Sequence, residues 1–325
     1  MSKPADFFTP GALPSTQGRK NYIIDGDFDV WLEGTSQTSS GYGSDTMWAN
    51  LNIGSTKTHS RQAFALGQAE VPGNPKYFSR TVVSSVVGAG NYVQKVQRIE
   101  SVYTYAGEAV TLSFWFKSNA NKNIAVEFSQ LFGTGGSPSA QVLGIGSQLI
   151  AVTAGWAKYS VTVNIPSIAG KTLGTDNNDS LWLIFWFDAG SSFNARTANL
   201  GQQSGTFDLA QVQLERGSVA TEFERMTLGE TLSLVGRYYQ LLYGAVSGVG
   251  WAGHSLSFAS VLNPEMRQAG IYKQIENDSS FPQTNIASTL SQTLIKHNLV
   301  FLYRNVGIIH AWCQFSELFS LDARL

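Results

Sequence analysis

The sequence predicts an all-β protein: a large β-sandwich, one short helix, and a smaller C-terminal β-sandwich domain. Three observations carry that expectation. Across 325 residues, short runs rich in Val, Ile, Thr, Phe, Tyr and Trp alternate apolar with polar side chains and stop at Gly, Pro, Asn or Asp, the punctuation of strands and turns. One stretch, following Thr227, instead repeats its apolar residues at helical spacing. After Tyr243 the texture returns to glycine and short strands, so a second β unit follows the helix. The length suffices for two cores.

Residues 1–20 read as an arm, interrupted by Pro4, Pro10, Gly11, Pro14 and Gly18 too often for a helix or a long strand. It lies extended against something or is a disordered terminus. Residues 21–32, NYIIDGDFDVWL, alternate Ile24, Gly26, Phe28 and Val30 with Asp25, Asp27 and Asp29, which places three carboxylates on one side of a strand. Such a row is either a solvated edge or is neutralised by a cation, and calcium is the natural candidate for clustered carboxylate oxygens. The spacing is not that of an EF-hand loop. Residues 34–52 then form a long Ser/Thr/Gly loop carrying Tyr42, Asp45 and Trp48. Long loops on a rigid scaffold are where binding residues tend to sit.

Strands are expected at 59–65 and 77–87, separated by the Pro72-Gly73-Asn74-Pro75 turn, and at 92–99 and 124–132. Between the last two, residues 97–118 read QRIESVYTYAGEAVTLSFWFKS. Their second half is a strand in which Leu112, Phe114 and Phe116 alternate with Thr111, Ser113, Trp115 and Lys117. The second face carries a tryptophan among hydroxyls and a lysine, an odd choice for a face that meets water alone. The glycine-rich residues 133–146 lack both the Gly-Lys-Ser/Thr ending and the following helix of a phosphate cradle.

Strands follow at 156–165 and 181–188, the second, LWLIFWFD, being apolar on both faces. Leu183, Phe185 and Phe187 would fill the sandwich core, leaving Trp182, Ile184 and Trp186 to be covered by a loop, a neighbouring subunit or a ligand. With Trp115, the two tryptophans could form a platform for sugar rings, whose apolar C–H faces stack on indoles while amides and carboxylates bond the hydroxyls. Tyr42 and Trp48 complete the candidate carbohydrate-binding set. Packing under a loop or against a partner chain is the competing reading of the same face. Residues 205–216 close the large domain, with a bulge near Ala210 where Phe207 and Leu209 change phase to Val212 and Leu214.

The linking helix, residues 227–241, opens on the capping-box pattern Thr227-Leu228-Gly229-Glu230 and carries Leu228, Leu232, Val235 and Tyr239 along one stripe. Residues 242–325 hold expected strands at 255–262, 270–276, 299–304, 308–315 and 318–324. A core that thin, with edges that open, would be completed by neighbouring copies, most plausibly in a threefold assembly.

Composition removes several function classes. Charged residues are 14% of the chain and the formal net charge is -1, so no basic patch points to nucleic acid. Surface positions fall instead to Gly, Ser, Thr, Asn and Gln, giving a neutral, hydroxyl-rich exterior. The single cysteine, Cys313, makes no internal disulfide, and no His/Cys cluster has zinc spacing. No signal-like start and no apolar run of membrane-spanning length is expected, hence a chain made in a cytoplasm and soluble. Nucleophile-elbow, zinc-protease, Walker and dinucleotide fingerprints are all missing from the sequence, and His59, His254, His297 and His310 are scattered. A glycosidase would need only two carboxylates across a cleft, which the sequence does not exclude.

Six segments in a fixed order, NYIIDGDFDVW, PGNPKYFSRTVV, VQRIESVYTYAGEAVTLSFWFKS, FGTGGSPSAQV, GWAKYSVTVNIPSIAGKT and GTFDLAQVQLERGSVATEFE, are followed by LGETLSLVGRYYQ. Together they resemble a recurrent domain of tailed-bacteriophage and prophage tail-fibre or head-fibre proteins, over residues 21 to about 240. The resemblance implies a carbohydrate-binding-module-like jelly roll over 21–226 and a usually trimeric β region after the RYYQ segment. The closing FSLDARL resembles the terminal strand of phage fibre knobs. In related modules acidic residues of the first strand and an aspartate of the last hold a structural calcium, and by position Asp27, Asp29 and Asp208 would correspond. No other cofactor is implied. The expectation is a non-enzymatic virion fibre subunit, a homotrimer. Its arm would dock on tail, collar or head proteins, and its jelly roll would face host surface polysaccharide, without nucleic acid or membrane insertion. A structural decoration or spacer is the alternative, and a polysaccharide depolymerase a further one.

Overall fold

The computed structural model describes the backbone of residues 19–250, 255–261, 271–277, 291–296, 299–305 and 311–324, with side chains for 19–241 and 322–324. In chain order the sandwich strands are β1 (Ser36–Gln37), β2 (Ala49–Ile53), β3 (Thr56–Ala63), β4 (Tyr77–Ser84), β5 (Tyr92–Glu100) and β6 (Ala109–Ser118). They continue with β7 (Lys122–Leu131), β8 (Val142–Val152), β9 (Ala157–Asn164), β10 (Ser180–Ala189) and β11 (Gly205–Arg216). A six-stranded sheet ordered β1-β3-β4-β11-β6-β9 packs on a five-stranded sheet ordered β2-β5-β10-β7-β8, and their strand pairs are antiparallel. From β4 onward nearly every connection crosses from one sheet to the other, the β7–β8 hairpin excepted. That crossing makes a jelly-roll sandwich of the large domain.

Period-two alternation builds the core. Leu112, Phe114 and Phe116 of β6 meet Leu183, Phe185 and Phe187 of β10 and Phe207 and Leu209 of β11, all of them buried. Phe114 meets Phe185 edge-on at 5.1 Å, and Phe187 stacks on Phe207 at 5.2 Å. The register of β11 on β6 shifts between Ala210 and Gln213, with Gln211 at φ 46°, so Val212 and Leu214 re-enter the same core. This bulge lies where the phase change in the sequence places it.

Three sandwich segments depart from expectation. Residues 21–32 form a turn, because Asp25 and Phe28 sit at φ 55° and 56° and break the alternation. The Asp25 carboxylate accepts from the amides of Asp29 and Val30, which holds the turn and sends Phe28 into the core. Within the expected 34–52 loop, Ala49–Ile53 pairs with β5 as an edge strand. Within and beyond the glycine-rich stretch, Val142–Val152 pairs with β7 through two register shifts, where Gly144 and Gly146 take φ of 70° and 61°. Glycines at those positions hide a strand from any alternation test.

A turn at Ser191–Phe193 and a short helix α1 (Asn194–Thr197) lie over the outer face of the five-stranded sheet. Helix α2 (Leu228–Gly236) opens on the expected reciprocal cap between Thr227 and Glu230. Its stripe is split: Val235 is buried, Leu228 and Leu232 are exposed, and Tyr239 belongs to the next strand.

The C-terminal strands are β12 (Tyr239–Gly250), β13 (Ser255–Val261), β14 (Ile271–Asn277), β15 (Ser291–Lys296), β16 (Leu299–Asn305) and β17 (Ala311–Asp322). They pair as β12-β17-β14 and β13-β16-β15. Ser291–Lys296 was not expected as a strand, and the two expected closing strands are one continuous strand, β17. The expected positions 262, 270 and 308–310 lie outside the described residues, as do residues 1–18 of the arm. Past β17 the chain returns to the sandwich. The Ala323 amide donates to Tyr238 O, and Arg324 contacts Glu33 at 2.8 Å.

Candidate functional site

The outer face of the five-stranded sheet is built by the second phase of its strands. Along β10 it presents Trp182, Ile184 and Trp186, opposite Arg98, Val96 and Gln94 of β5 and Ser129, Glu127 and Ala125 of β7. The two tryptophans have different fates. Trp186 is 1% exposed. Phe193 at 5.1 Å and Tyr92 at 5.6 Å cover its ring, and its Nε1 donates to Glu127 at 3.1 Å. The loop and short helix after β10 thus cover it from within the chain, and Trp186 drops out of the sugar platform.

Trp182 remains half-buried at the other end of the strand. The Arg98 guanidinium stacks 4.3 Å from its ring centroid and 5.4 Å from that of Tyr42. Arg324 lies 4.6 Å from the same Tyr42 ring, so aromatic rings and guanidinium groups alternate along this face. Beside Trp182 opens a cleft of about 360 Å³, whose rim carries Thr134, Ser139, Gln141, Asn178 and Ser180. Its lining includes one cation, Arg98, and no carboxylate. Ser129, directly opposite Trp182 in the ladder, has a buried hydroxyl with no partner among the described residues.

Two loops laced together form the wall. Thr134 N donates to Asn178 Oδ1 at 2.8 Å; Asn178 Nδ2 donates to Thr134 Oγ1, and Thr134 Oγ1 donates to Asp176, both at 2.8 Å. Backbone bonds Gly174 N to Phe132 O and Ser139 N to Thr172 O extend the lacing. A Cβ on Gly174 would lie 2.2 Å from Thr134 O, so only glycine permits the approach. The glycine-rich stretch therefore shapes a wall lined with hydroxyls and amides. Its composition was the available sequence signal, and Arg98, Gln141 and Asn178 carried none.

The other expected site residues lie elsewhere. Trp115 is on β6 of the six-stranded sheet, opposite Ala210 and Lys158. It belongs to a separate cleft of about 400 Å³ with Gln211, Phe223 and Arg225, so it shares no platform with Trp182. Trp48 is fully buried, stacked on Phe28 at 5.5 Å, and cannot meet a ligand at the surface.

The three aspartates of the implied calcium site do not fit the ion. Asp208 is held by Arg80 through two bonds of 2.7 and 2.8 Å, with Lys117 at 3.8 Å, and Asp27 is paired with Arg225 at 2.7 Å. Cations of the chain already occupy two of the three carboxylates, and no group of three or more His, Cys, Asp or Glu among the described residues is disposed to hold a metal. Burial raises Asp27 to about 6 against the opposing pull of Arg225, and burial likewise raises Asp29.

No protein-family model and no curated protein matches the chain. Among solved structures it is similar to a sugar-binding protein of Bacteroides thetaiotaomicron described as putative, at TM-score 0.36 and 12% identity, over 61% of this chain and 100% of that one. It is also similar to a family 11 carbohydrate-binding module from Clostridium thermocellum in complex with a mixed-linked tetrasaccharide, at TM-score 0.33 and 11% identity, over 57% and 98%. A third is the enzymatically active domain of a bacteriophage CBA120 tailspike, at TM-score 0.32 and 12% identity, over 61% of this chain and 21% of that one. At these scores the fold rests on the strand order of the chain itself.

Proposed function

We propose that the chain is a non-catalytic subunit of a bacteriophage virion fibre that binds bacterial surface polysaccharide at the Trp182 cleft. The observation that carries the glycan reading is the cleft itself: a half-buried indole beside a guanidinium, rimmed by neutral hydroxyl and amide side chains. Indole faces stack on the C–H faces of sugar rings, and hydroxyls and amides exchange hydrogen bonds with sugar hydroxyls. A cleft lining without carboxylates supports binding over hydrolysis, since glycosidases place two acids about the scissile bond.

The fibre reading rests on the ordered segments in residues 21–240 that resemble phage fibre domains. In it residues 1–20 dock on the particle, residues 242–325 assemble three copies, and the jelly roll faces outward on the virion after synthesis in the host cytoplasm. Three clefts per fibre raise avidity through effective concentration, so each need bind only weakly. Affinity electrophoresis of the full chain through gels containing host surface polysaccharides tests the glycan reading. Retardation that Gln141→Ala weakens supports it, whereas free migration through every polysaccharide of an adsorbing host refutes it.

The alternative of a decoration or spacer protein placed the tryptophans between subunits. Trp186 is covered by Phe193 and Tyr92 of its own chain, so that part of the alternative has no need of a partner.

A further inference from the structure

We propose that Lys95 and Asn50 become joined by an intramolecular isopeptide bond, with Asp45 carrying the proton. The two residues are directly opposed in the β2–β5 ladder, and Lys95, Asn50 and Asp45 are all buried. Lys95 Nζ donates to Asn50 Oδ1 at 2.8 Å and, through a very short bond, to Asp45 Oδ2. Asn50 Nδ2 donates to Asp45 Oδ1 at 2.6 Å. Amine, carboxamide and carboxylate therefore touch one another pairwise, and the carboxylate reaches both the attacking and the leaving nitrogen.

Burial pushes the Lys95 amine towards its uncharged form, against the pull of the Asp45 carboxylate. The fully buried Phe28 and Trp48 rings, with centroids 5.6 and 5.4 Å from Nζ, keep water from the site, although their faces also attract an ammonium. An ammonium–carboxylate pair and an amine–carboxylic acid pair hold the same number of protons and differ only in which end of one hydrogen bond holds it. Removing water penalises the charged pair and narrows the gap between the two.

In the reactive form, the Lys95 amine attacks Cγ of Asn50. The Nζ–Cγ bond forms and the Cγ–Nδ2 bond breaks; Asp45 gives Nδ2 the proton it holds, then takes one from Nζ and passes that to the same nitrogen, which leaves as ammonium. An ammonium, a carboxamide and a carboxylate become an amide, an ammonium ion that departs, and the same carboxylate. Nothing is oxidised or reduced. Once Lys95 is an amide, Asp45 keeps a neighbour that can donate to it, because His59 Nε2 lies 2.9 Å from its Oδ2.

Mass spectrometry of the denatured full chain tests the bond. The expected mass is below the sequence mass by one ammonia, and trypsin is expected to release residues 21–57 linked to 81–98, with no cleavage after Lys95. Asp45→Ala is expected at its full sequence mass, with residues 21–57 and 81–95 recovered separately. Where that variant fails to fold, the wild-type digest decides alone. Wild-type protein at its full sequence mass, with Asn50 and Lys95 in separate peptides, overturns the proposal, and a linked Asp45→Ala protein overturns the role given to Asp45.

Discussion

At Asp27 two influences compete: the Arg225 guanidinium favours the carboxylate, and burial disfavours it more, raising its pKa to about 6. One of its oxygens, Oδ1, is buried without a hydrogen bond among the described residues. A folded-state pKa above the unfolded value means the folded protein binds the extra proton. The contribution to stability is therefore fully present below about 4 and is lost as pH rises through about 6. Asp27→Asn should gain on wild type by up to about 3 kcal/mol between pH 4 and pH 7.5. Thermal melts at both pH values check this, and a difference that does not change with pH contradicts it. The sequence displayed the three aspartates but not their partners. Arg225 lies 198 positions from Asp27 and Arg80 lies 128 from Asp208, and no local pattern links such pairs. Trp182 and Trp186 were likewise legible as an outward pair, while their separation into one open and one covered ring was not.

The cover over Trp186 is the element that separates them. Its turn and short helix have no repeating pattern, so nothing in residues 191–200 announced where they would pack. Arg196 of that element reaches Glu127 at 2.9 Å, and Glu127 is fully buried. Burial raises the Glu127 pKa, with Arg196 opposing it. Removing one partner of a buried pair leaves the other uncompensated, so Arg196→Ala should cost about 3–5 kcal/mol. Adding Glu127→Gln should restore part of that loss in urea unfolding, and equal stability of the single and double variants would contradict the pairing. Helix α2 offers a gentler case, since its cap was readable from four residues. Thr227→Ala should cost about 1 kcal/mol in the same assay. Strands β6 and β10 were readable because one face of each is uniformly apolar. Strands β2 and β8 were not, one lying inside a polar loop and the other broken by glycines.

For the molecule as a whole, the jelly roll provides two outer faces, and the chain uses them differently. The five-stranded sheet carries a covered half around Trp186 and an open half around Trp182. Truncation of each tryptophan should separate the two roles. Trp186→Ala empties a packed site and should cost about 3–5 kcal/mol of stability. Trp182→Ala should leave the melting temperature within a few degrees of wild type and reduce glycan binding, because its ring lines a cleft that opens to solvent. Trp115→Ala, on the opposite sheet, should leave binding at the Trp182 cleft intact. The most direct measurement is a bacterial glycan array probed with the full chain and with Trp182→Ala. Wild type and Trp115→Ala should retain the same set of sugars, while folded Trp182→Ala should bind them about tenfold more weakly. An unchanged array pattern for Trp182→Ala, or no bound sugar for wild type, would contradict this.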